Sequence, residues 1–326
     1  MTAEPFAITG DQLTAVILNW RTPDHTVRAV AALRRDGMPA DRIVVVDNAS
    51  GDSSVERIRA EAGDITVLVL DENVGFARAN NAGVRSLPAM TAYLVLNSDA
   101  FVHVPGSVAT LMQSLHDPAV GIAVPRLLNP DLSLQPSVAP LSTPLPELVR
   151  ASGLSRLVPN RFQPALGTHW DHSASRRIQA AVGPVLLVRA AAWDQLGGFD
   201  EDLYMYAEDL DLFRRAATLG WTAHFVAEAE FVHLGGASAG QRWGTAERAE
   251  RVARAEAQTI VAHLGPVRAQ LTLALMAAGV GLRALFSALV GRRAAAQTYR
   301  AWLRGYCTGL GARRRSDLPG ETHTRS

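Results

Sequence analysis

Between Asp200 and Asp211 the chain places six carboxylates and two phenols within twelve residues. Carboxylates at that density repel one another. A fold keeps them together when a cation, an arginine or a proton-accepting task offsets the repulsion. His233, about twenty-five residues after Glu208, adds a second acid–base group or ligand. The run reads as a catalytic carboxylate site. Within it, Glu208-Asp209 opens a helical pattern, where the helix dipole favours anions; a first-turn capping pair is the plainer alternative. Asp211, close to Arg214 and Arg215, reads as one end of a structural ion pair.

These groups need a scaffold. Apolar runs at 15–18, 43–46, 65–70 and 92–96 alternate with helical patterns at 26–35, 53–59 and 77–87. Fully apolar strands alternating with helices indicate an α/β fold with a parallel sheet covered on both faces. Polar residues follow the carboxyl end of several of these strands: Asn19, Asp47-Asn48 and Asn97-Ser98-Asp99. Open α/β sheets bind ligands along that edge. Asp47 there can accept a hydrogen bond from a base or a ribose, or simply enter a turn. Asp99, with diphosphate oxygens and water, suits a hard divalent cation; a turn aspartate is the equal alternative. The stretch from Asn73 to Gly83 puts Gly75 in a loop and Arg78 on the helix after it, an arrangement that can hold a diphosphate. It lacks the G-x-G-x-x-G spacing of a dinucleotide site.

Composition excludes several chemistries. All basic residues are arginines, so no lysine is present to form a Schiff base. The near-neutral charge balance does not suggest a nucleic-acid partner. One cysteine, Cys307, permits neither an internal disulfide nor a cysteine-rich metal site. No charged-then-apolar leader is read at the first residues, and a reducing, cytoplasmic setting is expected.

Further along, a proline- and serine-rich loop region is expected over 130–177, with a short helix near 147–151. A strand at 182–188, a helix at 190–196, a helix at 208–219 and a strand at 223–226 follow, with His233 just beyond. After Gly240 the character changes. Residues 245–263 read as a charged, alanine-rich helix, and 271–290 as an apolar one interrupted by Arg283. Arg292, Arg293, Arg300 and Arg304 come next, among Tyr299, Trp302 and Tyr306. The apolar helix admits three readings: lying at a bilayer surface, packing on the catalytic part or on a second copy, or spanning a membrane.

The ordered series 17–20 (Ile-Leu-Asn-Trp), 46–50 (Val-Asp-Asn-Ala-Ser), 73–81 (Asn-Val-Gly-Phe-Ala-Arg-Ala-Asn-Asn), 96–99 (Leu-Asn-Ser-Asp), 197–201 (Gly-Gly-Phe-Asp-Glu), 206–212 (Tyr-Ala-Glu-Asp-Leu-Asp-Leu) and 232–233 (Val-His) resembles family 2 glycosyltransferases of the GT-A fold. Among these it is most similar to bacterial cell-wall rhamnosyltransferases and galactofuranosyltransferases. The resemblance implies a mostly parallel central sheet flanked by helices, over residues 11–238. A C-terminal helical extension over 239–310 and a disordered tail over 311–326 complete the chain. It also implies an inverting transfer from a nucleotide-diphospho-sugar, with Asp209 as general base supported by Glu208. Asn19, Asp47, Asn48, Gly75, Arg78, Asn97, Ser98 and Asp99 would hold the donor. Asp99 and His233 would hold Mg²⁺ or Mn²⁺. Asn97 stands where the D-x-D motif has its first aspartate, leaving a less anionic site. The best-matching donor is dTDP-rhamnose, with UDP-hexoses as alternatives. The implied acceptor is a glycan or polyprenyl-linked glycan at the inner face of the cell membrane. The sequence also admits two other classes: a nucleotidyl enzyme, which would need a basic glycine-rich phosphate loop, and a non-catalytic nucleotide-sugar-binding protein.

Overall fold

A computed structural model describes residues 13–86, 90–152, 170–235 and 243–314, with 316 and 318. The leader reading at the first residues, the centre of the loop region and most of the expected tail lie outside the described residues.

Strands β1 (Leu13–Asn19), β2 (Ile43–Asp47), β3 (Thr66–Val69) and β4 (Ala92–Asn97) run parallel in the order β3-β2-β1-β4. Helices α1 (Pro23–Arg35), α2 (Ser54–Glu61) and α3 (Gly75–Arg85) connect them. The unbroken apolar character of the strands has a direct cause. Ala15, Ile17, Val45 and Leu94 face one hydrophobic core, while Val16, Val44, Val46 and Val95 face another on the opposite side. On that second side α3 lies so close that a Cβ on Gly83 would sit 2.5 Å from Val16.

The sheet then becomes mixed. After β5 (Ala100–Val102) come α4 (Ser107–Gln113), β6 (Val120–Leu128), the short β7 (Leu134–Gln135) and β8 (Val138–Ala139), and α5 (Pro144–Ser152). Past the loop region lie β9 (Arg176–Ile178), β10 (Ala180–Ala181), β11 (Val185–Arg189), α6 (Ala190–Leu196), α7 (Glu208–Thr218) and β12 (Thr222–His233). Strand β11 inserts antiparallel between β4 and β6, and β12 lies parallel to β6, giving the continuation β4-β11-β6-β12-β5. The strand expected at 223–226 does not end there. It crosses an irregularity between Val226 and Glu230 and carries on to His233, so the histidine belongs to the strand itself.

Helices α8 (Thr245–His263), α9 (Pro266–Leu289) and α10 (Arg293–Cys307) form the C-terminal extension. Their shared core contains Ala253, Ala257, Ile260, Leu273, Met276 and Tyr306. The small residues have a packing reason: a Cβ on Gly305 would lie 2.5 Å from Ala253 Cβ and 2.6 Å from the Glu250 carbonyl oxygen. Polar bonds fasten the extension to the sheet domain. His263 Nε2 lies 2.6 Å from Asp211 Oδ1, and the Glu256 carboxylate accepts from both Ser142 and Tyr306 hydroxyls.

Candidate active site

The site begins where β1, β2 and β4 end. Asp47 is buried and fully engaged: its carboxylate accepts from Asn19 Nδ2 at 2.6 Å, Ser50 Oγ at 2.6 Å and the Ser50 amide at 3.0 Å. Asn19 in turn accepts from the Thr26 hydroxyl at 2.7 Å. This buried cluster locks the ends of two neighbouring strands. The next residue, Asn48, pins the loop ahead of α3, accepting from the Val74 amide and donating to Asn73 and to the Gly75 carbonyl.

Gly75 is required by its surroundings. Its φ is +85°, and a Cβ there would sit 2.3 Å from the Tyr204 carbonyl oxygen. That same oxygen accepts from the Phe76 amide at 2.8 Å, while the Tyr204 hydroxyl donates to Asn73 at 2.7 Å. The loop before α3 and the loop before α7 are thus joined directly.

The approach to α7 is strained. Tyr206 and Ala207 are consecutive non-glycine residues in the left-handed region, with φ of 73° and 60°. Each such residue costs of order 1 kcal/mol and marks places where geometry is imposed by the surroundings. The strain turns the chain so that Glu208 and Asp209 enter the first turn of α7. One Asp209 oxygen accepts from the Gly183 amide at 2.9 Å, the other from the Leu210 amide at 2.7 Å. Burial pushes the Asp209 carboxyl up to about 6; the amides of Leu210 and Gly183 oppose the rise, and the negative charge of Glu256 adds to it. Asp211 points elsewhere. Burial alone would raise its carboxyl, yet the His263 hydrogen bond and the Arg215 guanidinium, 2.5 Å away, hold it below the usual range. It is an ion-pair anchor, as its spacing from the arginines suggested.

Asp99 is 5% exposed, just past β4, and its Oδ1 lies 3.4 Å from His233 Nε2. The tautomer of His233 follows from its neighbour. Gln135 Nε2 donates to Asn129 Oδ1 and to the His233 carbonyl, so Gln135 Oε1 must accept from His233 Nδ1 at 2.7 Å. In neutral His233 the Nε2 lone pair therefore faces a carboxylate oxygen. The two atoms are placed to share a cation, a proton or a metal ion. Among the described residues no cluster of three or more His, Cys, Asp or Glu side chains forms a complete metal cage. One carboxylate and one imidazole, with substrate oxygens completing the shell, are a fitting donor set for a divalent cation in a phosphate-binding site.

Asn48, Gly75, Asn97, Ser98, Asp99, Glu208, Asp209 and His233 all line one cavity of about 430 Å³. Three other expected site residues do not. Asn19 and Asp47 are occupied in the buried cluster beside it. Arg78 is about half exposed and turns to the neighbouring loop, donating to the Glu201 carbonyl at 3.1 Å with the Glu201 carboxylate 3.9 Å away. Glu201 is thereby bound to α3 through Arg78, Arg85 and Asn81.

The cavity has a wall that sequence reasoning did not foresee. Arg248, Val252 and Glu256 line it from α8, and Trp243 from two residues ahead of that helix. Among the described residues Arg248 is the one arginine in the lining. Trp243 holds the wall in place, its ring 5.8 Å from that of Tyr206 and covered by the Arg251 guanidinium at 4.7 Å. A period-3.6 reading of 245–263 could have flagged the spacing of Arg248, Val252 and Glu256 on one helical face.

Comparison with known proteins agrees with this geometry. Residues 14–143 match the profile of glycosyl transferase family 2. An N-acetylglucosaminyl-diphospho-decaprenol L-rhamnosyltransferase of Mycobacterium tuberculosis is 28% identical over 238 residues, covering 68% of this chain and 76% of the relative. The low-salt glycan biosynthesis hexosyltransferase Agl10 of Haloferax volcanii is 27% identical over 213 residues, 63% of this chain and 62% of the relative. The fold is shared with a mannosyltransferase from Pyrobaculum calidifontis, solved with GDP-Man and Mn²⁺. That comparison gives a TM-score of 0.55 at 16% identity, over 94% of this chain and 89% of the other. The matched segment and these relatives make the chain a glycosyltransferase whose residues 14–143 match glycosyl transferase family 2, and its sheet shares the GT-A-like fold.

Proposed function

We infer that this enzyme is an inverting hexosyltransferase that moves a sugar from a nucleotide diphosphate to a hydroxyl of a lipid-linked glycan in cell-envelope polysaccharide synthesis. Rhamnose from dTDP-rhamnose is the first candidate donor, supported by the rhamnosyltransferase relative; a UDP-hexose is the alternative. The observation that carries the reading is one cavity holding a carboxylate–imidazole pair, Asp99 and His233, together with a carboxylate of raised pKa, Asp209.

Each residue has a distinct task in this scheme. Asp99 and His233 would hold Mg²⁺ or Mn²⁺, a choice supported by the Mn²⁺ of the mannosyltransferase with the same fold. When bound, the cation supplies Lewis-acid neutralisation of the leaving diphosphate. Arg248 faces the same cavity and pairs with phosphate oxygens. Gln135 fixes the tautomer of His233. Asp209, ionised above its pKa near 6, accepts the proton of the acceptor hydroxyl as that oxygen attacks the anomeric carbon. The Gly183 and Leu210 amides aim its two oxygens. One displacement with no protein nucleophile inverts the anomeric centre.

A panel of nucleotide sugars, screened by melting temperature with Mn²⁺ or Mg²⁺ and then by transfer with NMR of the product anomer, tests the reading. Retention of configuration, or binding without any transfer or hydrolysis, would overturn it.

A further inference from the structure

Helix α9 is 24 residues long with a mean hydropathy of 1.7 over its most apolar stretch, long and apolar enough to cross a bilayer. Its packing speaks against a span. Ala269, Thr272, Leu273, Met276, Gly279, Ala284 and Ser287 are buried along one side, against α5, α8 and α10. Gln270 is held by the backbone of Gly309 and Ala312. The other side is bare: Leu271, Leu282, Leu285, Phe286 and Leu289 are each at least half exposed and follow helical spacing along one face. Helix α5, packed on α9, exposes Leu145 and Leu148 as well.

The charge around this ridge is one-sided. From 257 to 316 the chain has nine arginines and no aspartate or glutamate. Since the whole chain carries +1, the remaining residues carry −8. Arg292 and Arg293 are exposed directly after α9, and Arg300 is exposed on α10. Arg304 is paired with Glu250 of α8 and is not counted toward the surface. An apolar ridge flanked by the exposed guanidinium groups of Arg292, Arg293 and Arg300 matches an anionic bilayer surface, into which apolar side chains insert while arginines meet lipid phosphates. A second copy of this chain would set the same arginines against each other.

We propose that the α9–α10 face docks flat on an anionic phospholipid surface, making this a monotopic protein that lies on the membrane. The docking stands on the ridge and its charge alone. Its use, bringing the cavity wall built by α8 to a lipid-linked acceptor, rests on the function proposed above.

Co-sedimentation of the full chain with vesicles of phosphatidylglycerol and phosphatidylcholine, against phosphatidylcholine alone, tests it. The protein should pellet with the anionic vesicles, be released by alkaline carbonate, and lose binding as salt rises. R292Q with R293Q should weaken binding by roughly fivefold per arginine, and L285D with F286D should abolish it. Transfer to a water-soluble acceptor should stay unchanged in all variants. Equal binding to neutral vesicles, or release only by detergent, would overturn the proposal. So would a concentration-dependent dimer in ultracentrifugation that the same aspartates dissolve. Loss of transfer with vesicle binding intact would instead count against the proposed reaction.

Discussion

Asp209→Asn should separate stability from catalysis through pH. An aspartate that titrates near 6 in the folded protein, against 3.8 ordinarily, costs the fold up to about 3 kcal/mol once it is ionised. The raised value means that the unfolded chain releases this proton first. Between about pH 4 and pH 6 the contribution of Asp209 to stability falls as pH rises, and it stays at the lower level above that window. Asparagine carries no charge at any pH, but it has one acceptor oxygen where aspartate has two. Either the Gly183 or the Leu210 amide then faces an NH₂ group, at a cost of about 1–2 kcal/mol. The variant should be about 1–2 kcal/mol more stable than the parent at pH 8, and between level with it and about 1 kcal/mol less stable at pH 4.5. In a chain of this size the difference at pH 8 is a few degrees in melting temperature, with the curves crossing near about pH 4.5–5.5. Meanwhile transfer at pH 8 should fall on the order of 10²–10⁴-fold with donor affinity retained. Melting curves of both proteins from pH 4.5 to 8, beside initial rates, supply the measurement. A difference in melting temperature that does not change with pH would refute the account of this carboxylate.

The remaining expectations are simpler to read. In the parent enzyme kcat/KM should be roughly tenfold below its plateau at pH 5, because Asp209 must be ionised; a flat profile between pH 5 and 8 would remove it as the base. Asp99→Ala should erase the gain in donor affinity on adding Mn²⁺, so that calorimetry in EDTA shows parent and variant alike. Arg248→Gln should weaken a diphosphate ligand by roughly 10–100-fold, the worth of one charge-assisted hydrogen bond. Titration with the nucleotide and with a lipid diphosphate separately will show which substrate the arginine serves. Gly75→Ala should cost about 2 kcal/mol or more and lower the melting temperature by several degrees, since the new methyl meets the Tyr204 carbonyl and the backbone is left-handed.

The amino-terminal half of the sheet was legible because β1, β2 and β4 are buried on both faces, so burial is written as unbroken apolar runs. The polar residues Asn48 after β2 and Asn97 to Asp99 at the end of β4 pointed to the cavity, because open α/β sheets gather ligands at that edge. Legibility fell where structure depends on distant partners. Asp47 looked like a ligand contact; its oxygens are engaged by Ser50, three residues on, and by Asn19, 28 residues back in the chain, and the second relation is not written in any local pattern. Strand β12 was cut short because Glu228 is exposed within it and the register breaks there. Arg248 was hidden in an alanine-, arginine- and glutamate-rich helix that reads as a solvated charged face. Only the packing of α8 against the site turns one edge of that helix inward. The apolar segment after it left three readings open, because composition cannot say which side of a helix is already covered.

The contact between Gly75 and Tyr204 has a further consequence. One carbonyl oxygen receives the Phe76 amide and closes off the space where a side chain would stand, while the hydroxyl of the same tyrosine holds Asn73. The loop before α3 and the loop before α7 are therefore a single mechanical unit. A ligand that orders one lowers the entropy left to be lost at the other, which is positive coupling between sites, and coupling of this kind is reciprocal. Donor should tighten acceptor by the same factor that acceptor tightens donor. That factor should fall toward one when Tyr204→Phe breaks the hydroxyl bond to Asn73.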